Sequence, residues 1–135
     1  MQNNRGATQG SRAHIFLVEN DYSLSGALQK KLKKEGYQVT LFEDGINVKE
    51  RALEDQPDLI LLDIQLPIVD GLEVLSNLKK DENTKAIPVI MLTNLDLTSP
   101  KMLRTTNQYP PNLYLVKSSW TLSALLDQIK DTLKN

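Results

Sequence analysis

The stretch Pro57–Leu75, PDLILLDIQLPIVDGLEVL, decides the fold. Its first part, Asp58–Asp63, is a short run of Leu and Ile closed by a carboxylate. Such a run is too short for a buried helix, and its near-continuous hydrophobicity suits a strand covered on both faces. After Gly71 the pattern changes to a helical stripe, Leu72, Leu75 and Leu78. A strand leading into a helix is the building unit of a parallel sheet.

Working outward, four further runs read as strands: His14–Glu19, Tyr37–Phe42, Ile87–Thr93 and Leu113–Lys117. The segments between them read as helices. Leu24, Ala27, Leu28 and Leu32 form one stripe with Gly36 as its C-terminal cap. Leu122, Leu125, Leu126, Ile129 and Leu133 form another, with Thr121 near its start. Between Thr93 and Tyr114 the reading is one short, irregular helix: Ser99-Pro100 is a cap followed by Pro at the first helical position, and Pro110-Pro111 end it. Strands separated by helix-length segments predict an α/β domain in three layers, a doubly wound parallel sheet with right-handed crossovers.

The 135 residues are enough for one domain, and a chain of that size buries roughly two-thirds of its unfolded surface. Apolar residues make up 40% and charged residues 24%, a globular composition. Sixteen Lys and Arg against 17 Asp and Glu leave a net charge of −1, which argues against nucleic acid as a partner. With no cysteine, disulfides, thiolate metal sites and Cys nucleophiles are excluded. A single histidine, His14, argues against a His metal cluster or a Ser-His-Asp triad, and His14 itself reads as structural. No apolar run approaches the roughly 20 residues of a membrane span, and Met1–Arg12 is polar, without the apolar core of a secretory signal. The expectation is a tail over residues 1–12 and a cytoplasmic domain over 13–135.

In doubly wound sheets, function gathers beyond the carboxyl ends of the strands. The first strand ends in Glu19-Asn20-Asp21, the third in Asp63, the fourth in Thr93 and the fifth in Lys117. Each alone has an ordinary explanation: helix capping for Glu19 and Asp21, a β-branched strand residue for Thr93, a solvated strand end for Lys117. Asp63 is harder to explain so, because a carboxylate closing a buried strand is desolvated unless it meets a cation. Acids, one hydroxyl and one ammonium on a single rim suit phosphoryl transfer to a carboxylate. Asp63 would be the nucleophile, a hard divalent cation would offset the incoming charge, and Lys117 and Thr93 would hold the remaining phosphoryl oxygens.

These residues resemble the CheY-like receiver domains of two-component response regulators. The likeness runs from about Ala13 to the end of the chain and is strongest in Pro57–Leu75, where Asp63 precedes Leu66-Pro67 and Asp70-Gly71 at the family's offsets. PVIMLTN (Pro88–Asn94) and YLVK (Tyr114–Lys117) follow in the family's order. The resemblance implies a flavodoxin/CheY-like sheet with strand order 2-1-3-4-5. It implies Asp63 as phosphoacceptor and Mg2+ held by Glu19, Asn20, Asp63 and the backbone carbonyl of Gln65. It further implies Thr93 and Tyr114 as switch residues and Lys117 as the conserved-type lysine. Phosphate would come from a sensor histidine kinase or a phosphotransfer protein, and output would be contact with a downstream protein by a monomer or weak homodimer. The chain is then no enzyme beyond phosphorylating and dephosphorylating itself.

Three departures accompany the resemblance. Asn20 stands where the family has an acid; its amide oxygen brings no charge, so Mg2+ affinity falls by about tenfold or more. Asp21 is the neighbouring acid that could compensate. Ser118 stands where the family typically has a proline in a cis peptide, so a trans loop is expected after Lys117. Leu95–Asn112 is proline-rich, which implies an altered fourth helix.

Other readings compete with this one. One is a degenerate receiver, binding partners without phosphorylation. A phosphatase of the haloacid dehalogenase type would need an acid two residues after Asp63, where Gln65 stands. A flavodoxin-like module would need a phosphate loop after the first strand, where Glu19-Asn20-Asp21 would repel phosphate. Lys30, Lys31, Lys33 and Lys34 read as a solvated helix end that complements the C-terminal carbonyls, with a kinase-docking role implied by the resemblance. Trp120 reads as packing at the start of the last helix.

Overall fold

Five short strands hydrogen-bond side by side in the order β2-β1-β3-β4-β5, all parallel: β1 His14–Val18, β2 Gln38–Phe42, β3 Leu59–Asp63, β4 Val89–Thr93 and β5 Leu113–Val116. This is the expected doubly wound sheet, with each strand one or two residues shorter than its apolar run. The computed structural model describes residues 13–93, 99–117 and 120–134. The expected N-terminal tail, Leu95–Thr98 of the proline-rich segment and the Lys117–Ser118 peptide bond therefore lie outside the described residues.

Alternation along the strands sorts side chains into two cores. Ile15, Leu17, Leu59, Leu61, Ile90 and Leu92 pack under α1 (Tyr22–Lys34) and α5 (Leu122–Lys134), with Trp120 at the margin. Phe16, Val18, Ile60, Leu62, Val89 and Met91 pack under α2 (Val48–Asp55), α3 (Gly71–Lys80) and α4 (Pro100–Gln108). Burial on both faces is why β1, β3 and β4 read as unbroken apolar runs. β2 and β5, at the edges, are only partly buried.

Local chemistry sets the helix ends. Asp21 caps α1 by accepting from the Leu24 amide at 3.1 Å. At the other end Gly36 takes φ 96°, and the amides of Gly36 and Tyr37 reach back to the carbonyls of Lys33 and Leu32. These paired bonds form a Schellman cap, which needs a residue at ease with positive φ. The buried stripe of α1 is Leu28 and Leu32, with Ser25 buried beside them and Leu24 packed at the edge; Ala27, expected in the stripe, is exposed. A 100° step per residue carries Ala27 to the stripe's flank. The fourth helix is short as expected but regular over its nine residues. The Ser99 hydroxyl accepts from the Met102 amide, Pro100 fills the first turn, and the helix stops before Pro110. α2 has a left-handed residue at each end, Asn47 at φ 66° and Gln56 at φ 46°. The Gln56 amide donates to the carbonyls of Ala52 and Asn83, tying that end down. His14 is structural, its Nε2 2.7 Å from the Thr40 hydroxyl and its ring edge-on to Phe16.

Asp70 anchors the start of α3. One oxygen accepts from the Glu73 amide at 3.0 Å, and the other pairs with Lys101 of α4 at 2.6 Å. Burial works to raise the Asp70 carboxyl, but these partners outweigh it and hold it below its ordinary value of 3.8. A depressed carboxyl contributes stability above its unfolded value and loses it as the pH falls through the folded one. Asp70→Ala should therefore lower stability by about 1 kcal/mol near neutrality. In denaturant titrations at a series of pH values, the gap to the parent protein should close as the medium is acidified below about 4.

Candidate functional site

Register brings the site together. Val18 pairs with Leu62, so Glu19 and Asp63, the next residues, emerge side by side at the carboxyl ends of β1 and β3. Both continue the alternation toward the α1/α5 side, and so does Lys117, two residues beyond Leu115 on β5. Lys117 reaches back past β4. Its ammonium hydrogen-bonds Asp63 Oδ2 at 2.9 Å and forms an ion pair with Glu19 Oε1 at 2.8 Å. Three chain segments far apart in sequence thus converge on one nitrogen.

The two carboxylates are almost wholly buried, Glu19 at 1% and Asp63 at 4% exposure. Backbone amides hold their other oxygens: Asp21 N donates to Glu19 Oε2 at 2.9 Å, and Gln65 N to Asp63 Oδ1 at 3.1 Å. Glu19 Oε1 lies within ion-pair range of Lys117 but accepts no aligned hydrogen bond. Burial pushes the Glu19 carboxyl above its ordinary 4.5, against the pull of Lys117 and the Asp21 amide. Burial would lower the Lys117 ammonium, but Glu19 and Asp63 outweigh it and hold it above 10.5.

The remaining expected residues stand around this triad. Asn20 is exposed and, with Gln65, lines a cavity of about 550 Å3 between the β3–α3 loop and the start of α4. Asp21 is spent as the α1 cap, so its carboxylate is already engaged away from the triad. Thr93 is fully buried at the end of β4, paired in register with Val116. Tyr114 lies one pleat below the rim, opposite Met91, packed against the same core. It belongs to the wall behind Thr93 rather than to the charged cluster.

Two features of the loop after Asp63 are new from the structure. A Cβ at Gly71 would stand 2.1 Å from the Asp63 carbonyl oxygen and 2.7 Å from Ile64 Cα, so only glycine lets α3 start against the backbone of Asp63. The Gly71 amide donates to the Ile64 carbonyl, closing that contact at 2.8 Å. Ile68 is the centre of a γ-turn, with φ 71° and a Val69 amide to Pro67 carbonyl bond of 2.8 Å. For a β-branched side chain that backbone is strained by roughly 1–3 kcal/mol. Asp70-Gly71 was visible as a motif; nothing in the sequence signalled the γ-turn.

The oxygen donors on this rim, the Glu19 and Asp63 carboxylates with Asn20 and the Gln65 carbonyl in adjoining chain, are of the kind that suits a hard divalent cation. Lys117 neutralises only one of the two charges. Lys117→Met should remove that neutralisation and cost about 3 kcal/mol near neutrality, since it leaves buried carboxylates unpaired. A carboxyl raised in the folded state favours folding at low pH and opposes it as pH rises. The deficit of Lys117→Met should accordingly shrink between pH about 7 and about 5, as read by thermal or denaturant melts.

Comparison with known proteins agrees with this arrangement. The model of the response regulator receiver domain matches residues 15–130. The DNA-binding dual master transcriptional regulator RpaA of Synechocystis is 41% identical over 88 residues, 65% of this chain and 36% of that protein. The uncharacterized transcriptional regulatory protein YkoG of Bacillus subtilis is 35% identical over 123 residues, 91% of this chain and 52% of that one. The chain thus spans about a third to a half of the curated relatives it matches. Among solved structures, the receiver domain of the sensor histidine kinase PA1611 from Pseudomonas aeruginosa superposes with a TM-score of 0.80 at 27% identity, covering 92% of this chain and 99% of that one. That structure has a magnesium ion in its active-site cleft. Chemotaxis protein CheY4 of Vibrio cholerae, at 24% identity and a TM-score of 0.77 over 90% of this chain and 98% of its own, shares the fold. From Ile15 to Lys130, where buried Glu19, Asp63 and Lys117 meet at the carboxyl rim of a 2-1-3-4-5 sheet, this chain belongs to the family of response regulator receiver domains.

Proposed function

We propose that Asp63 accepts a phosphoryl group from a sensor histidine kinase or a phosphotransfer protein, and that the change redistributes the domain between inactive and active conformers. The observation that carries this is the Lys117 ammonium lodged between Asp63 and Glu19 at 2.9 and 2.8 Å. It supports a buried carboxylate oriented by a cation. In the transfer, an Asp63 carboxylate oxygen forms the new bond to phosphorus and the donor's bond to phosphorus breaks. The product is an aspartyl phosphate, and the donor departs with the bonding pair. The Gln65 amide fixes the orientation of the carboxylate, and Lys117 supplies positive charge for the phosphoryl oxygens. The Thr93 hydroxyl, at the end of β4, is the further group for those oxygens, with Tyr114 behind it as the second switch residue.

Mg2+ would be held by Glu19, Asp63, Asn20 and the Gln65 backbone carbonyl. When bound it offsets the charge of the incoming phosphoryl group. With the neutral Asn20 amide the donor set remains oxygen-only, but its attraction for a divalent ion is weaker than an acid at that position would give. The output is contact with a protein target in the cytoplasm by a monomer or weak homodimer, since the balanced charge of the chain gives no general attraction for nucleic acid. Asn20 is the observation that favours the second reading, a receiver that binds partners without being phosphorylated.

Acetyl phosphate with Mg2+, followed by intact mass, separates the two. The expected result is a gain of one phosphate that is absent in Asp63→Ala; no gain even at high Mg2+ supports the second reading and removes the first. Asn20→Asp should tighten Mg2+ binding by about tenfold. It should also destabilise the metal-free protein, because a third carboxylate joins two that share one ammonium. Superimposable Mg2+ titrations of the two proteins would refute this account of the site.

A further inference from the structure

A cationic groove lies away from Asp63. α3 and α4 run side by side, and toward their C-terminal ends they enclose a groove of about 270 Å3 lined by Ser76, Lys80, Arg104, Thr105, Gln108 and Tyr109. Helices of a doubly wound sheet begin at the rim that carries the strand ends, so this groove sits roughly 10–15 Å along the helices from that rim. Its lining contains two cations, three hydroxyls and one amide, and no carboxylate.

On the α4 side the lack of acid extends along the chain. From Leu97 to Leu126 the sequence holds no Asp or Glu, although the whole chain has 17 of them. Several other helix cations are paired, Lys49 with Asp81, Arg51 with Glu54 and Asp55, Lys101 with Asp70 and Lys130 with Glu35, while the lysines that end α1 stand in solvent. Among the described residues neither Arg104 nor Lys80 has a carboxylate in ion-pair range. Lys80 is not simply serving the end of α3. Its ammonium lies 5.9 Å over the Tyr109 ring, on the far wall of the groove, while Thr84 takes the Leu78 carbonyl at the end of α3. The aromatic face places the ammonium without neutralising it.

Two unneutralised cations held in one groove repel, and a bound anion relieves that repulsion. The arginine fork matches an oxyanion through two parallel hydrogen bonds, and the hydroxyls and amide offer more donors than the two oxygens of a carboxylate can use. A phosphate monoester, with three terminal oxygens and a charge near −2, fits both the charge and the donor count. The volume is just below the range of ordinary small-molecule pockets, which suits a phosphate head group rather than a whole large ligand. We propose that the α3–α4 groove binds the phosphate group of a small phosphorylated molecule, with Arg104 and Lys80 as its charge partners, independently of phosphorylation at Asp63.

The test is a titration of the metal-free protein followed by amide NMR shifts and thermal melts, with inorganic phosphate, AMP and acetate at matched ionic strength. Saturable shifts centred on Ser76, Lys80, Arg104, Thr105 and Gln108, and a rise in Tm with ligand, are expected for AMP. Binding should weaken below pH about 6, where the monoester loses its second charge. A response to AMP stronger than to inorganic phosphate identifies the monoester; an inorganic phosphate response without one to AMP overturns the proposed ligand. Arg104→Gln and Lys80→Gln should each weaken binding by about tenfold or more. Asp63→Asn should leave it unchanged, so that failure of this site and failure of the phosphoacceptor reading are separately visible. Equal response to acetate, unsaturable shifts, binding that survives both substitutions, or shifts confined to the Asp63 rim would each overturn the proposal.

Discussion

The Lys117 ammonium is the constraint on which the site depends. Taking Glu19 and Asp63 out of water together is costly, and like charges side by side add to the cost. One cation reached from β5 is shared by both, at 2.8 and 2.9 Å. This arrangement works only because β1, β3 and β5 run in the same direction and end on the same rim. An antiparallel strand at any of these positions would send its terminal charge to the opposite edge. The parallel sheet is therefore a precondition of the chemistry, and the burial of the sheet on both faces supplies the low dielectric that gives the triad its strength.

The sheet was legible because its signal is redundant. Each of the five strands announces itself by an apolar run, and β3 and β4 are buried throughout. The strand-end acids and lysine followed from the same reading, since a parallel topology dictates which end of each run faces the rim. The α1 terminus was legible in Gly36, where the need for positive φ leaves few alternatives. What the sequence concealed depends on partners distant in the chain. Asp70 looks like a helix cap, and it is one, but its pairing with Lys101 follows from where α4 docks. Gly71 looks like a helix start, and its closeness to the Asp63 carbonyl appears only in three dimensions. Ala27 has the right hydrophobicity and the wrong angle. Ile68 violates its own conformational preference, so no propensity argument could have placed it in a γ-turn.

Apart from Ala27, these hidden features share a location. Asp63, the Gln65 amide, the Ile68 turn, the Asp70 cap and the Gly71 contact follow one another within nine residues of chain, from the end of β3 to the start of α3. The Asp63 carboxylate accepts from Gln65, the Ile64 carbonyl accepts from Gly71, and Asp70 binds Glu73 and Lys101. Both ends of the loop are thus tied to fixed neighbours. A loop so constrained would hold its backbone while the phosphorylation proposed above changes the charge at its first residue.

Asn20 shows how charge and geometry can be separated in such a site. With Glu19, Asp63 and Lys117 the cluster carries a net charge of −1; an acid at position 20 would make it −2. The extra charge would strengthen attraction for a divalent cation, and without the cation it would add repulsion beside two buried carboxylates. The amide avoids the second effect at the expense of the first. Asp21 does not restore the balance, because its carboxylate caps α1, and withdrawing it would leave the Leu24 amide without its acceptor. The metal-free domain is thereby closer to electrostatic balance than a three-acid site would be. In the Mg2+ site proposed above, the cation would then have less repulsion to relieve, and its hold would rest on Glu19 and Asp63, the two groups that Lys117 already engages.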